Sequence, residues 1–391
     1  MIREFRPHSN RCRASLPSSW RTVATLLGLS LLAACSAPKP ARVPQPRGQE
    51  AALIPATLHF SLSDGSVAPI RVWPATGQTH AIVLALHGFG DSRDAWEFSA
   101  PQLAAAGIET IAPDLRGFGE TRSRGAWSST ARMVQDAREE ASVHARNPGI
   151  PLYVMGESMG GAVATLLATD PPPETISGVI LVSPAIWRFD PLSRLMLDGL
   201  DVIAPDWVFT GAHVPGEHIA TNNLAALRRL YFDPLTMHGF RLDTLRGLVH
   251  LMASGQDAAS RVQLPLLVLY GDQDQMIPAP PMAAFWQHLP PSARRDVIPG
   301  GHHLLLRDRN GRNATGDIAS WVLTPDRLLP LAAMWRRLHG WRPIRDISCP
   351  DAGTFGMLSR PCQRAVALWK PSRGNIGDAD FGTGALLEFW L

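Results

Sequence analysis

The chain opens on a polar, arginine-rich stretch and passes through one apolar run at 23–34. It then gives way to "SAPKPARVPQPRGQE", which is proline-rich and polar. From about residue 53 the pattern becomes regular. "ATLHFSLSDGSVAPIRVWPA" predicts two strands joined at Asp64-Gly65, a hairpin signal. "HAIVLALHGFG" is a fully apolar strand running into a glycine-rich loop. "DAWEFSAPQLAAAG" reads as a helix, and "IETIAPDLRGFGET" as another buried strand with a loop after it. "TARMVQDAREEASVHARN" has helical spacing and charged faces. "IPLYVMGES" is a strand that leads into the helix "MGGAVATLLATD", and "ISGVILVSPA", "LPLLVLYGDQD" and "ARRDVIPGGHH" supply three more strands. Apolar runs without alternation, separated by helices, argue for a mostly parallel sheet covered on both faces. The alternating rhythm predicts a doubly wound α/β fold, whose ligands bind beyond the carboxyl ends of the strands.

Between 186 and 263 the strand pattern stops. "PLSRLMLDGLDVIAPDWVF" sets Leu192, Leu195, Met196, Leu200 and Ile203 at helical spacing, and further helix-like segments follow. An insertion of about 75 residues is longer than most connections and reads as a helical cap. Its apolar stripe is expected to pack onto the core sheet, with a lipid-facing entrance as the alternative. After 325 the periodicity fades, and weak order is expected over 326–391. Cys349 and Cys362, in that tail, would close a short loop if paired in an oxidising compartment.

Composition changes this picture at one end only. The 391 residues are 45% hydrophobic and 18% charged, which suits a globular chain with a large core. The formal charge of +3 is concentrated at the start: 1–34 carries Arg3, Arg6, Arg11, Arg13 and Arg21 against Glu4, a net of +4, leaving −1 for the rest. No basic face for nucleic acid follows from that distribution. The run at 23–34 is too short to span a bilayer, which takes about 20 residues, and has the length of a signal-peptide core. It ends in Leu32-Ala33-Ala34-Cys35, which resembles the bacterial lipoprotein box. That resemblance implies a signal peptide over 1–34, acylation of Cys35, a tether over 35–52, and membrane anchoring at the bacterial cell envelope, facing the periplasm from the outer membrane.

The candidate chemistry centres on "GESMGG". Gly-x-Ser-x-Gly between a strand and a helix is a nucleophile elbow, with Ser158 at the corner and Gly156 and Gly160 where side chains have no room. A serine hydroxyl needs a base, and the base needs an orienting acid. In the order Ser, acid, His, the acid loop "YGDQDQMIP" offers Asp272 and Asp274, and "PGGHHLLLRD" offers His302 and His303. No Cys/His metal spacing and no Gly-x-Gly-x-x-Gly site in context appears, so neither metal nor organic cofactor is implied.

On His87-Gly88-Phe89-Gly90, "PDLRGFGET", "GESMGG", "GDQDQMIP" and "GGHHLLLRD", with "LRRLYFDPLT" in the cap, the chain resembles the α/β-hydrolase superfamily. The resemblance covers about 53–323, within a hydrolase domain expected over 53–325. More narrowly it resembles the monoacylglycerol lipase and lysophospholipase branch, often labelled serine aminopeptidase-like. Its acid-loop pattern, Gly-x-x-Asp-x-x-Val/Ile-Pro, falls on Gly271, Asp274, Ile277 and Pro278, which favours Asp274. Its acidic residue five positions after the histidine falls on Asp308, which favours His303. The oxyanion donors are then the backbone N–H groups of Met159 and Phe89. His87 reads as a buried orienter of its loop, Asp114 and Arg116 as loop braces, and Glu157 as the variable elbow position. The resemblance implies hydrolysis of a small acyl ester, such as a monoacylglycerol or lysophospholipid, through an acyl-serine. The alternatives are an aminopeptidase or perhydrolase on the same triad, or a non-catalytic envelope lipoprotein.

Overall fold

A computed structural model describes residues 48–330 apart from 145–148, 170, 211–217 and 328. The run at 23–34, Cys35, most of the tether, and the tail beyond 330 with Cys349 and Cys362 lie outside the described residues. The strands are β1 (Leu58–Ser61), β2 (Val67–Trp73), β3 (Ala81–Leu86), β4 (Ile108–Pro113), β5 (Leu152–Glu157), β6 (Ile176–Val182), β7 (Val208–Thr210), β8 (Gly239–Arg241), β9 (Leu266–Gly271) and β10 (Arg294–Ile298). Eight of them form one sheet in the order β1-β2-β4-β3-β5-β6-β9-β10. β2 runs antiparallel to β1 and β4, and every other neighbour is parallel. The fold is that of an α/β-hydrolase.

The two-residue period of a strand explains why these runs are apolar throughout. In β3, Ile82, Leu84 and Leu86 enter the core on one face of the sheet, and Ala81, Val83 and Ala85 enter the core on the other. β5 divides likewise, with Leu152 and Val154 on one face and Tyr153 and Met155 on the other. The first face is covered by α2 (Thr130–His144) through Met133, Ala137 and Ala141, by α3 (Met159–Leu167), and by α7 (Ala279–His288) through Met282 and Phe285. The second is covered by α1 (Ala100–Ala105) and by α8 (Gly311–Leu323) through Ile318 and Trp321. The single helix expected over 94–107 forms instead as a 3-10 turn, Arg93–Trp96, followed by α1. Pro101 accounts for the break, since it lacks an N–H and its ring excludes the preceding helical turn.

Between β6 and β9 stand α4 (Pro191–Ile203), α5 (Leu224–Phe232) and α6 (Leu242–Ala258). The segment is not purely helical: β7 and β8 pair there as a short antiparallel ribbon. Asp190 caps α4, its carboxylate accepting from the N–H groups of Leu192 and Ser193 at 3.0 Å. The apolar stripe of α4 does not pack onto the core sheet. The helix buries no residue, and Leu195 and Val202 are 68% and 85% exposed. Packing onto the core falls to α6 instead, through Leu248, Leu251 and Met252.

Backbone, aromatic and ionic contacts fasten the cap over the carboxyl ends of the strands. The N–H of Met237 donates to the carbonyl of Gly90 (2.8 Å). The ring of Phe240 packs against that of Phe89 with centroids 4.3 Å apart and planes tilted by 35°. Thr221 Oγ1 donates to Asp308 Oδ1 (2.6 Å). Arg229 on α5 bridges Glu97 (3.0 Å) and Asp94 (3.2 Å) of the core.

Candidate active site

Ser158 sits between the end of β5 and the start of α3 with φ 52° and ψ −116°, a conformation rarely taken by a residue with a side chain. The turn is that sharp because β5 and α3 meet without a spacer. A Cβ on Gly156 would lie 2.2 Å from the carbonyl oxygen of Gly160, and one on Gly160 would lie 2.0 Å from that of Leu86. Only glycine fits either position. The backbone fixes the corner further: the N–H of Ser158 donates to Val182 (3.0 Å), and its carbonyl accepts from Ala185 (2.8 Å).

His303 lies on the loop after β10, and its Nε2 is 2.9 Å from Ser158 Oγ. Its Nδ1 is 2.9 Å from Oδ2 of Asp274, on the loop after β9. The other oxygen of Asp274, Oδ1, accepts from the N–H groups of Met276 (2.8 Å) and Ile277 (2.9 Å). A carboxylate only accepts, so Nδ1 carries the proton and Nε2 is left to accept from the serine hydroxyl. Ser158, His303 and the Asp274 carboxyl are all buried. Burial pushes the His303 pKa down, but the charge and hydrogen bond of Asp274, with the charge of Glu157, more than offset this and hold it above the usual imidazole value.

The neighbouring candidates face elsewhere. Asp272 Oδ1 accepts from the N–H of Gly300 (2.7 Å), bracing the turn that leads to the histidines. His302 turns to Asp308, donating its backbone N–H at 2.6 Å with Nδ1 at 3.2 Å from the same oxygen. Asp308 therefore joins the histidine loop to Thr221 of the cap. His87 is buried between two backbone groups: its Nδ1 donates to the carbonyl of Gly88 (2.7 Å), and its Nε2 accepts from the N–H of Leu115 (2.9 Å). That pair of contacts requires a neutral ring, and burial lowers its pKa accordingly. Asp114 accepts from the Arg93 N–H (2.7 Å) and from the Glu120 N–H (2.8 Å), holding the loop between them. Arg116 bonds Asp136 (2.6 Å) and Ser66 (2.7 Å). Phe89 follows β3, whose Leu86 is paired with Gly156 of β5, so its loop flanks the serine. Met159 opens α3, where a helix has no preceding turn to accept its N–H.

Three charged residues that sequence reasoning passed over or read as incidental lie beneath this arrangement. Glu157, Arg307 and Asp91 are all buried, and Arg307 pairs with both carboxylates. Glu157 and Arg307 are 150 residues apart, and no local pattern links such a pair. Among the described residues no group of three metal-binding side chains occurs, and no helix is long and apolar enough to cross a membrane.

Residues 77–310, more than half of the chain, match the family described as serine aminopeptidase, S33. The chain belongs to that family. It is 25% identical over 264 residues to the monoacylglycerol lipase of Mycolicibacterium smegmatis, covering 65% of this chain and 91% of that one. It is 31% identical over 223 residues to human monoglyceride lipase, covering 56% and 73%. Among solved structures, a soluble variant of Saccharomyces cerevisiae monoglyceride lipase superposes with a TM-score of 0.59 at 20% identity, covering 73% of this chain and 98% of that one. The monoacylglycerol lipase of Paleococcus ferrophilus gives 0.57 at 19% identity, covering 66% and 98%. At that identity the likeness speaks for the fold.

Proposed function

We propose that this protein is a serine hydrolase that cleaves carboxylic esters of single acyl chains, a monoacylglycerol or lysophospholipid in type. The observation that carries the reading is the continuous line from Ser158 Oγ to His303 Nε2 and from His303 Nδ1 to Asp274 Oδ2, each link 2.9 Å. Ser158 Oγ attacks the ester carbonyl while Nε2 takes its proton. Asp274 keeps the proton on Nδ1 and stabilises the imidazolium. The oxyanion is held by the N–H groups of Met159 and Phe89, and losing one such donor costs about 10²–10³ in turnover. The alcohol departs with the proton from Nε2. Water then repeats the sequence on the acyl-serine, releasing the acid and restoring the hydroxyl. The names of the relatives support the substrate class, since those at 25% and 31% identity are monoacylglycerol and monoglyceride lipases.

The test is hydrolysis of a panel by purified protein: short and long nitrophenyl esters, a monoacylglycerol, a lysophospholipid and an aminoacyl anilide, with Ser158→Ala beside it. Ester turnover abolished in the variant supports the reading. Turnover of the anilide alone would transfer it to aminopeptidase chemistry. Inert, folded wild-type protein that resists a fluorophosphonate probe would point to a binding role. For the N-terminus we propose lipid anchoring at Cys35 in the cell envelope, tested by metabolic labelling with an alkynyl fatty acid in wild type and Cys35→Ala. Equal labelling of both would dismiss it.

A further inference from the structure

Arg307 ends the 3-10 turn Leu305–Arg307, four residues after His303. Its Nη2 stands 2.5 Å from Glu157 Oε2 and 2.7 Å from Asp91 Oδ2. Glu157 is the last residue of β5, directly before Ser158. Asp91 is two residues beyond Phe89 and is itself held, its Oδ1 accepting from the N–H of Ser92 (2.8 Å). One guanidinium thus ties together the loops that carry the serine, the histidine and Phe89. Burying ions carries a desolvation cost that pairing only offsets, and apolar side chains brace loops without that cost. The cluster also holds two carboxylates against one cation, and burial raises the pKa of Glu157 against the opposing charge of Arg307. The imidazole of His303 contacts Asp274 of the acid loop and Ser158 of the elbow, while the charges of Glu157, next to that serine, and of Arg307, on the histidine's own loop, act on it in opposite senses. His302 and Asp308, next in sequence, are turned toward the cap.

We infer that Arg307 is a positioning residue that locks the serine, histidine and oxyanion loops to one another through Glu157 and Asp91, and that the Glu157 carboxylate, directly before Ser158, favours the His303 imidazolium formed during acyl transfer. The inference rests on the acyl-transfer reading above and adds to it a second acidic group, distinct from Asp274, acting on the same histidine. Its geometric half concerns alignment. Misplacing reacting groups by about 1 Å costs about 10²-fold in rate. Its electrical half concerns sign. A negative charge near an imidazole favours the protonated form, and Glu157 acts on His303 in that sense while Arg307 opposes it.

The test begins with Glu157→Gln, which keeps the shape and an acceptor for Arg307 but removes the charge. The side-chain nitrogens of His303 are titrated by NMR in labelled protein, assigned by their loss in His303→Gln, and the pH dependence of kcat/KM is measured in parallel. His303 must be neutral to take the serine proton, so kcat/KM falls as pH falls through its pKa. With Glu157 neutralised and Arg307 retained, both the NMR midpoint and the acid limb are expected to move to lower pH. Midpoints unchanged from wild type would overturn the electrical half. Arg307→Met alone strands two buried carboxylates and risks unfolding. The triple variant Asp91→Asn/Glu157→Gln/Arg307→Met strands none, and its fold is checked by melting. It is expected to lose about 10²-fold in kcat with KM within about threefold. A folded triple variant with wild-type kcat would overturn the positioning role. Full activity in Ser158→Ala would defeat the hydrolase reading separately, while the NMR midpoint would still decide whether Glu157 acts on His303.

Discussion

Asp274→Asn is the most telling single change, because the structure dictates which way the new amide faces. Asp274 Oδ1 accepts two backbone N–H groups, from Met276 and Ile277. An asparagine that kept its carbonyl oxygen there would retain both bonds. The flipped amide would set an NH2 group against two N–H donors, at about 1–3 kcal/mol for each group left unsatisfied. The amide nitrogen therefore faces His303 Nδ1 and forces that atom to accept. The proton of the neutral imidazole moves to Nε2, which then points an N–H at Ser158 Oγ and no longer takes the hydroxyl proton. In serine hydrolase triads the wrong tautomer costs about 10⁴ in kcat, which is about 5 kcal/mol of barrier at about 1.36 kcal/mol per factor of ten. The assay is the initial rate on a nitrophenyl ester, with the rate of fluorophosphonate labelling beside it, since both require the same deprotonation. Melting temperature should change little, because the replacement is isosteric and keeps both backbone bonds. Removing the charge that raises His303 also moves the acid limb of any residual activity to lower pH. A loss below tenfold in a protein that melts like wild type would refute the tautomer argument and with it the role of Asp274.

Other outcomes follow from the same geometry. In the wild-type enzyme the acid limb of kcat/KM is expected above pH 6.5, because His303 is held above the usual imidazole value; a limb at or below that pH in steady-state rates would contradict it. His302→Ala is expected to keep kcat within about threefold while His303→Ala loses at least about 10³-fold, since only His303 reaches Ser158; equal losses would mean that the two rings exchange places. Gly160→Ala would drive a Cβ to 2.0 Å from the Leu86 carbonyl oxygen, which is backbone and cannot swing aside, so a loss of about 1–3 kcal/mol by denaturant melts is expected together with lost activity. Burial and the charge of Asp317 raise the Asp296 carboxyl to about 7, so in the folded state it stays protonated where the unfolded chain ionises. The stability that this group confers is full below pH 3.8 and is lost as pH rises through 7. Asp296→Asn should therefore stabilise the fold increasingly over that window, by at most about 4 kcal/mol at pH 8, and a difference flat between pH 4 and 8 would dismiss the shift.

What the sequence disclosed follows the range of the interactions involved. The elbow is local: six residues contain the serine, the glycines that admit its turn, and the strand-to-helix switch. β3, β5 and β9 are legible because burial on both faces leaves them apolar almost throughout, with Glu157 at the end of β5 the one charged residue among them. The stripe on α4 shows where that reading stops, for spacing reveals an apolar face but not what covers it, and here nothing in the core does. The β7–β8 ribbon is three residues on each side, too short for any period to register. Asp272 and Asp274, and His302 and His303, differ only in which way their loops turn them, and that is set by Gly300 and Asp308 rather than by the residues themselves. The Glu157–Arg307–Asp91 cluster joins three separate loops, so no window of sequence contains it.

The stitching between cap and core limits how new substrate ranges can be engineered into this scaffold. A cap transplanted from a relative would have to bring a hydroxyl at the position of Thr221 or leave Asp308 short of a donor beside the histidine loop. It would need an aromatic ring where Phe240 lies over Gly90, because the space above that glycine is shaped to the ring and a smaller side chain would open a void next to Phe89. It would also need a cation at Arg229 to answer Asp94 and Glu97. A graft made at the flanks of the insertion alone would therefore yield chimaeras that fold poorly, whereas one that carries these three anchors and varies the outward face of α4 leaves the loops of Ser158, Asp274 and His303 as they are.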